Sequence, residues 1–425
     1  MQRVLSGQQL RELDRLAAEL CGVGSLVLME NAGRGAADFV AASLALGPSA
    51  PRHVVVACGG GNNGGDGYVI ARRLALLGAR VEVFALAAES ELRGDALINY
   101  RAWLGCGGRV VALTDFTLES FEQSLADADA VVDALLGTGL RRAVTGLYAA
   151  AIERITRAQA RCFAVDIPSG LDADTGSIHG LAVRAAVTLT LAAYKPGLLT
   201  PNGVVHAGRV ELLDIGVPTS SLPQVGQTAW LVERADVRSA LPPRPVNAHK
   251  SSSGRVLVLA GSAGKIGAAL LVAQGALRAG AGLVTLAALP EVADALDQRV
   301  LEAMTARLDP SALADSLAPL LEATDVVAIG PGLGFTPQAQ RLVDHVVLEH
   351  AGLVVVDADA LTRFKGIAEQ LARARGPRIL TPHPGEMSRL LDDHVTDVEA
   401  NRFAAVERAV QLTQATVLLK GPRSL

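Results

Sequence analysis

Short apolar runs alternate with helical stretches along most of the chain. HVVVAC (53–58), VEVFAL (81–86), AVVDALL (130–136), CFAVDI (162–167) and VTLTLAAY (187–194) read as strands. Between the first two, YVIARRLALLG (68–78) reads as a helix ending at Gly78. A second series comprises RVLVLAGS (255–262), LVTLAAL (283–289), DVVAIG (325–330), LVVVDADAL (353–361), RILTPH (378–383) and TVLLKG (416–421). These runs are near-continuous in Val, Leu and Ala rather than alternating. That predicts strands covered on both faces, hence parallel α/β sheets. At the N-terminus Leu10, Leu13, Ala17 and Leu20 recur at helical spacing, and Ser6 with Gln9 forms a capping box. The Gly/Pro/Ser/Thr stretch GVPTSSLPQVGQT (216–228) predicts a boundary between one domain at 1–217 and another at 226–425. PPRP (242–245) is a further break, at the entry to the second core.

Composition narrows the function classes. Half of the 425 residues are hydrophobic and only 3% are aromatic, so aliphatic side chains fill the cores. A net charge of -4, with no long Lys/Arg run, argues against a nucleic-acid footprint. Cys21, Cys58, Cys106 and Cys162 are too far apart for a zinc knuckle or a disulfide framework and suit a reducing cytosol. The first twenty residues lack the apolar core of a signal peptide, and no apolar run is long enough to span a bilayer. A cytoplasmic protein with a small-molecule substrate is expected.

The chemistry concentrates after strands. CGGGNNGGDG (58–67) lies between a strand and a helix, where glycines allow backbone N–H groups to approach a ligand. Gly59, Gly61 and Gly64 satisfy G-x-G-x-x-G, but Asn62, Asn63 and Asp66 depart from a simple pyrophosphate cradle. Asp133 ends a second strand before Gly137, Thr138 and Gly139. Asp166 ends a third, followed by Pro168, Ser169, Gly170 and Asp172. In parallel sheets ligands bind beyond the carboxyl ends of the strands, so these loops point at one pocket. Asn63, Asp133 and Ser169 offer one carboxylate and neutral oxygens, a donor set for a hard, weakly charged cation rather than zinc. Asp166 is a candidate acid/base.

The succession GGGNNGGDG, VDALLGTGL, DIPSGLDADTG and LAAYKPGLL resembles the NAD(P)H-hydrate epimerase family across residues 1–217. The resemblance implies a Rossmann-like fold that interconverts the R and S epimers at C6 of hydrated NADH or NADPH, with a bound potassium ion. It makes Asn63, Asp133 and Ser169 the ion's ligands. It assigns the dinucleotide to Asn62, Asn63, Gly64, Gly65, Asp66, to Gly137, Thr138, Gly139, Leu140, Arg141, Arg142, Ala143, and to Asp166 as the catalytic residue.

The second half carries AGSAGKIGAALLVAQGALRAGAGLVTLA (260–287), IGPGLG (329–334) and LTPHPGEMSRLL (380–391), where Pro382 and Pro384 stiffen the chain around His383. From about Ala248 onward these are similar to the ADP/ATP-dependent NAD(P)H-hydrate dehydratases, of ribokinase-like fold. The resemblance implies that Ala268, Gly332 and His383 contact the hydrate. It places Lys420, Gly421, Pro422, Arg423 and Ser424 on the phosphates of ADP or ATP, with Mg2+ accompanying the nucleotide. Ser424 stands where the family has Thr and keeps the hydroxyl. The family's G-[TS]-G-D loop is not found between residue 226 and Leu425, so the second domain reads as incomplete and its dehydration as impaired. The resemblance also admits a homo-oligomer.

Other readings make different demands. A Rossmann oxidoreductase needs an acid about 20 residues after the glycine loop, where only Glu89 and Glu91 stand. A small-molecule kinase needs the absent Asp loop. A non-enzymatic scaffold on an epimerase-like domain has no use for the cation ligands or Asp166.

Overall fold

The computed structural model describes residues 1–47, 52–217, 225–226, 229–243 and 245–425. The chain divides into two compact units, Met1–Ala240 and Leu241–Leu425. Most of the expected 216–228 linker lies outside the described residues. The division falls later than the 217/226 boundary expected from composition, next to PPRP. The physical reason is a strand pair: β1 (Gln2–Val4) pairs antiparallel with a strand at Ala229–Leu231 and ties that segment to the N-terminal unit.

In chain order the remaining strands of the first unit are β2 (His53–Cys58), β3 (Arg80–Ala85), β4 (Val110–Ala112), β5 (Ala130–Ala134), β6 (Arg161–Val165), β7 (Val187–Leu191) and β8 (Arg209–Leu213), with β9 being Ala229–Leu231. They form a 7-stranded parallel sheet of order β4-β3-β2-β5-β6-β7-β8. Both faces are covered, as the unbroken apolar runs predict. Val54 and Val56 pack with Ile70 and Leu74 on one face, while Val55 and Ala57 pack with Phe121 and Ile152 on the other. The edge strands β4 and β8 escape the sequence pattern because they are only partly buried, β4 is three residues long and Glu211 interrupts β8.

Helix α1 (Gly7–Cys21) starts at the expected capping box: Ser6 Oγ accepts from Gln9 N at 3.2 Å and Gln9 Oε1 from Ser6 N at 2.9 Å. Leu13 and Ala17 are buried, but Leu20 is exposed and lies off the expected face. Helix α2 (Ser25–Ser43) follows, and α3 (Asn62–Leu76) packs against it. The glycine-rich segment is less of a loop than expected, since α3 already begins at Asn62.

The second unit has strands β10 (Arg255–Leu259), β11 (Leu283–Ala288), β12 (Met304–Arg307), β13 (Val326–Ile329), β14 (Leu353–Val356), β15 (Arg378–Leu380) and β16 (Thr416–Val417). They form another 7-stranded parallel sheet, of order β12-β11-β10-β13-β14-β15-β16. Its core is again two-faced, with Leu257, Leu259 and Ile329 on one side and Val258 with Ala269 and Leu296 on the other. In both sheets the strand order reverses next to a central strand, between β2 and β5 and between β10 and β13. Such switch points open a crevice at the carboxyl ends of the strands. No helix among the described residues is long and apolar enough to cross a membrane.

Candidate functional site

A cavity of about 710 Å³ opens at the β2/β5 switch point of the first unit. Its lining includes Asn62, Asn63 and Asp66 from the start of α3, the run Gly137 to Arg142 after β5, and Asp166 after β6. Three segments expected to meet do meet. Gly64, Gly65 and Ala143 do not line it. Gly64 lies against backbone, where an added Cβ would stand 2.0 Å from the Gly59 carbonyl oxygen. A Cβ on Gly59 would meet the Leu135 oxygen at 1.8 Å. Part of the glycine pattern therefore serves close packing between the β2 turn, the β5 turn and α3 rather than the ligand.

Asn63, Asp133 and Ser169 converge. Ser169 donates to Asp133 through both its backbone N–H (2.8 Å) and its hydroxyl (2.6 Å). Asn63 Nδ2 donates to the Leu136 carbonyl at 3.1 Å, and the Leu136 N–H donates to Ser169 Oγ at 2.8 Å. Asp133 and Ser169 are fully buried beneath the cavity rather than on its wall. Burial pushes the Asp133 carboxyl up to about 6, against the opposing hydrogen bonds from Ser169. The oxygens gathered there belong to one carboxylate, an amide, a hydroxyl and a carbonyl, a set that suits a monovalent hard cation. Among the described residues no three His, Cys, Asp or Glu side chains gather as a metal group.

Asp166 occupies the left-handed region (φ 66), which is uncommon for a residue other than glycine, and neighbouring Ala192 does so too (φ 62). The strained backbone is pinned: Asp166 N donates to Leu189 O at 2.8 Å, and Leu191 N donates to Asp166 Oδ1 at 3.1 Å. Its carboxylate is ion-paired with Lys195, which is completely buried and also donates to Thr190 Oγ1 (2.9 Å) and Leu191 O (2.8 Å). Lys195 stands within LAAYKPGLL, with no role foreseen for it from the sequence. A lone Lys inside an apolar run was the available signal, since buried lysines are rare unless paired. Also missed were Arg11 and Asp14 of α1, Asp95 and Tyr148, all on the cavity wall. Tyr148 accepts from Gly60 N at 3.3 Å.

Two further carboxyls face Asp166. Asp66 is 7% exposed, and its carboxyl makes no hydrogen bond among the described residues. Burial, then the charges of Asp166 and Asp14, raise its carboxyl well above the ordinary range, with Lys195 opposing. Asp14 is open to solvent through the cavity. Burial of its carboxyl against the cavity wall, then the Asp166 charge, push it up to about 6, again against Lys195. Asp172, by contrast, ties its own loop, accepting from Asp174 N, Thr175 N and the His179 ring.

In the second unit the expected residues lie after adjacent strands. Gly332, after β13, packs on Ala268: an added Cβ would stand 3.1 Å from the Ala268 Cβ. His383 caps the helix Pro384–Leu391, its Nδ1 accepting from Gly385 N at 3.0 Å, and its Nε2 lies 3.4 Å from buried Glu386. Lys420 pairs with Asp357 at 2.8 Å and approaches Glu386 at 3.7 Å. His383 and Lys420 are thus joined through Glu386. Gly421 abuts the buried Arg402, while Pro422, Arg423 and Ser424 are exposed. The acids demanded by an oxidoreductase are engaged elsewhere, Glu89 with Arg101 and Glu91 with the Ala88 N–H.

Residues 25–197 match the family model described as YjeF-related protein N-terminus, and residues 256–425 match that for NAD(P)H-hydrate dehydratase. The bifunctional NAD(P)H-hydrate repair enzyme Nnr of Moorella thermoacetica is 40% identical over 99% of this chain and 81% of its own length. Its Escherichia coli counterpart is 36% identical over 97% of this chain and 76% of its own length. A solved ADP/ATP-dependent NAD(P)H-hydrate dehydratase from Bacillus subtilis, co-crystallised with ATP/Mg2+, is 34% identical over 45% of this chain and 66% of that one, with a TM-score of 0.38. Both halves and their order are matched along nearly the whole chain, which therefore belongs to the family of bifunctional NAD(P)H-hydrate repair enzymes.

Proposed function

We propose that the cavity of the Met1–Ala240 unit is where R and S hydrates of NADH or NADPH interconvert at C6. The observation that carries this is the placement of Asp166, ion-paired with a buried lysine, on the wall of a cavity also lined by Asn62–Asp66 and Gly137–Arg142. The hydrated nicotinamide ring lies against Asp166, and the dinucleotide runs along the backbone of the two loops, with Arg141 and Arg142 at the rim toward the phosphates. Asn63, Asp133 and Ser169 would hold a potassium ion, whose charge would offset that of the buried Asp133 carboxylate. Lys195 keeps Asp166 aimed into the cavity as the group that moves a proton at the C6 oxygen.

For the second unit the reading assigns Ala268, Gly332 and His383 to the hydrate and the Lys420–Ser424 stretch, with Mg2+, to ADP or ATP. Lys420 must then exchange Asp357 for phosphate oxygens when nucleotide binds. The four free cysteines fit a cytoplasmic setting. The test is to mix the full chain with the pure R hydrate in K+ buffer and follow the S epimer by chromatography. Interconversion above the uncatalysed rate, lost in Asp166→Asn, is expected; an uncatalysed rate in the wild type overturns the reading. The second unit is tested by supplying the S hydrate with ADP or ATP and Mg2+ and following the return of NADH or NADPH.

A further inference from the structure

Asp66 is an unusual residue to bury. The residue is 7% exposed and lines the cavity, and none of the hydrogen bonds among the described residues ends on its carboxyl, whose oxygens face the cavity. An unpaired buried carboxylate is costly, whereas a neutral carboxyl aimed at a ligand is not. The groups facing it are Asp14 from α1 and Asp166 with Lys195 from beyond β6 and β7. The remaining charged groups of the wall are Arg11, Asp95, Arg141 and Arg142. Two carboxyls of one cavity therefore stand in opposite environments. Asp166 is matched by a cation, and Asp66 is not. Environments that separate two carboxyls in this way divide acid from base.

Resting on the epimerase reading of this cavity, we propose that Asp66 is the second catalytic residue of the inversion, the acid that works opposite Asp166. Asp66 gives its proton to the C6 hydroxyl oxygen. The C6–O bond breaks and water leaves, while the lone pair of the adjacent ring nitrogen forms a C=N bond, leaving the ring cationic. A water then adds to C6 from the opposite face, the C=N pair returns to nitrogen, and the water's proton passes to Asp166. The net change is one hydroxyl exchanged for another and one proton moved from Asp66 to Asp166. That end state is the one that processes the opposite epimer, so the two carboxyls serve both directions. Asp14, open to solvent and facing both, returns the proton between turnovers.

The experiment compares wild type and Asp66→Asn, near-isosteric for a neutral carboxyl, in 18O-labelled water with K+. Expected are a loss of at least about a hundredfold in interconversion rate, hydrate affinity kept within about tenfold, and one solvent oxygen entering C6 per inversion in the wild type. Independently of folding of the variant under turnover, the wild-type infrared spectrum at pH 7 should contain a protonated-carboxyl band that Asp66→Asn lacks. A variant rate within threefold of wild type, inversion without oxygen exchange, or an unchanged carboxyl band each overturns the assignment while leaving the epimerase reading standing. A wild-type chain without interconversion overturns both.

Discussion

Lys195→Met keeps most of the side chain's bulk and deletes its charge. Lys195 Nζ donates to Asp166, to Thr190 Oγ1 and to the Leu191 carbonyl. The lysine side chain is 1% exposed and that of Asp166 is 14%, so solvent offers little replacement. Asp166 would be left facing Asp66 and Asp14 without a cation, on a backbone already in the left-handed region. Removing one partner of a buried pair costs about 3–5 kcal/mol. At roughly 2–4 °C per kcal/mol for a unit of this size, the melting temperature should fall by about 10 °C. Urea denaturation of wild type, Lys195→Met, Asp166→Asn and the double variant checks this. The double variant should be more stable than the two single losses added together, because it leaves no orphan charge. A Lys195→Met loss below about 1 kcal/mol, or simple additivity, would refute the argument that this pair holds the strained Asp166 in place.

The raised carboxyl of Asp66 has a definite sign in stability: the folded state keeps a proton that the unfolded chain releases, so stability falls as pH rises from about 4 toward the folded value. Asp66→Asn should therefore be more stable than wild type at pH 7, by about 1–3 kcal/mol, with the gain vanishing near pH 4; melting curves across that range decide it. Gly64→Ala places a methyl 2.0 Å from the Gly59 carbonyl oxygen and should cost about 1–3 kcal/mol, with loss of hydrate binding as α3 shifts, as read by calorimetry and titration. Saturating K+ in place of choline should stabilise the Met1–Ala240 unit by about 1–3 kcal/mol, and Ser169→Ala should abolish the difference; melting temperatures in the two salts are the readout.

Much of the fold was legible because its strands are central. β2, β5 and β6 are covered on both faces, so their runs are apolar throughout and bounded by Gly or Asp. Helix α1 announced itself through Ser6, Gln9 and its apolar spacing. Three edge strands were not legible: β4, β8 and β12 are part-exposed, and their pairing is decided by neighbours rather than by their own residues, whereas the edge strand β16 was read from TVLLKG. The same holds for β9, whose partner β1 lies at the other end of the unit and moves the division of the chain to Ala240.

The sequence by itself determined which residues stand at the carboxyl ends of the strands, because a parallel sheet delivers the residue after each apolar run to one edge. That sufficed to bring Asn63, Asp133, Asp166 and Ser169 to one place. Only the tertiary structure decided their company: Asp133 sealed beneath the cavity with Ser169, Asp166 matched to Lys195, Asp66 left without a partner, and Asp14 brought in from α1. Burial and charge neighbours depend on segments far apart in the chain, and it is these, not residue type, that set whether a carboxyl holds or yields its proton.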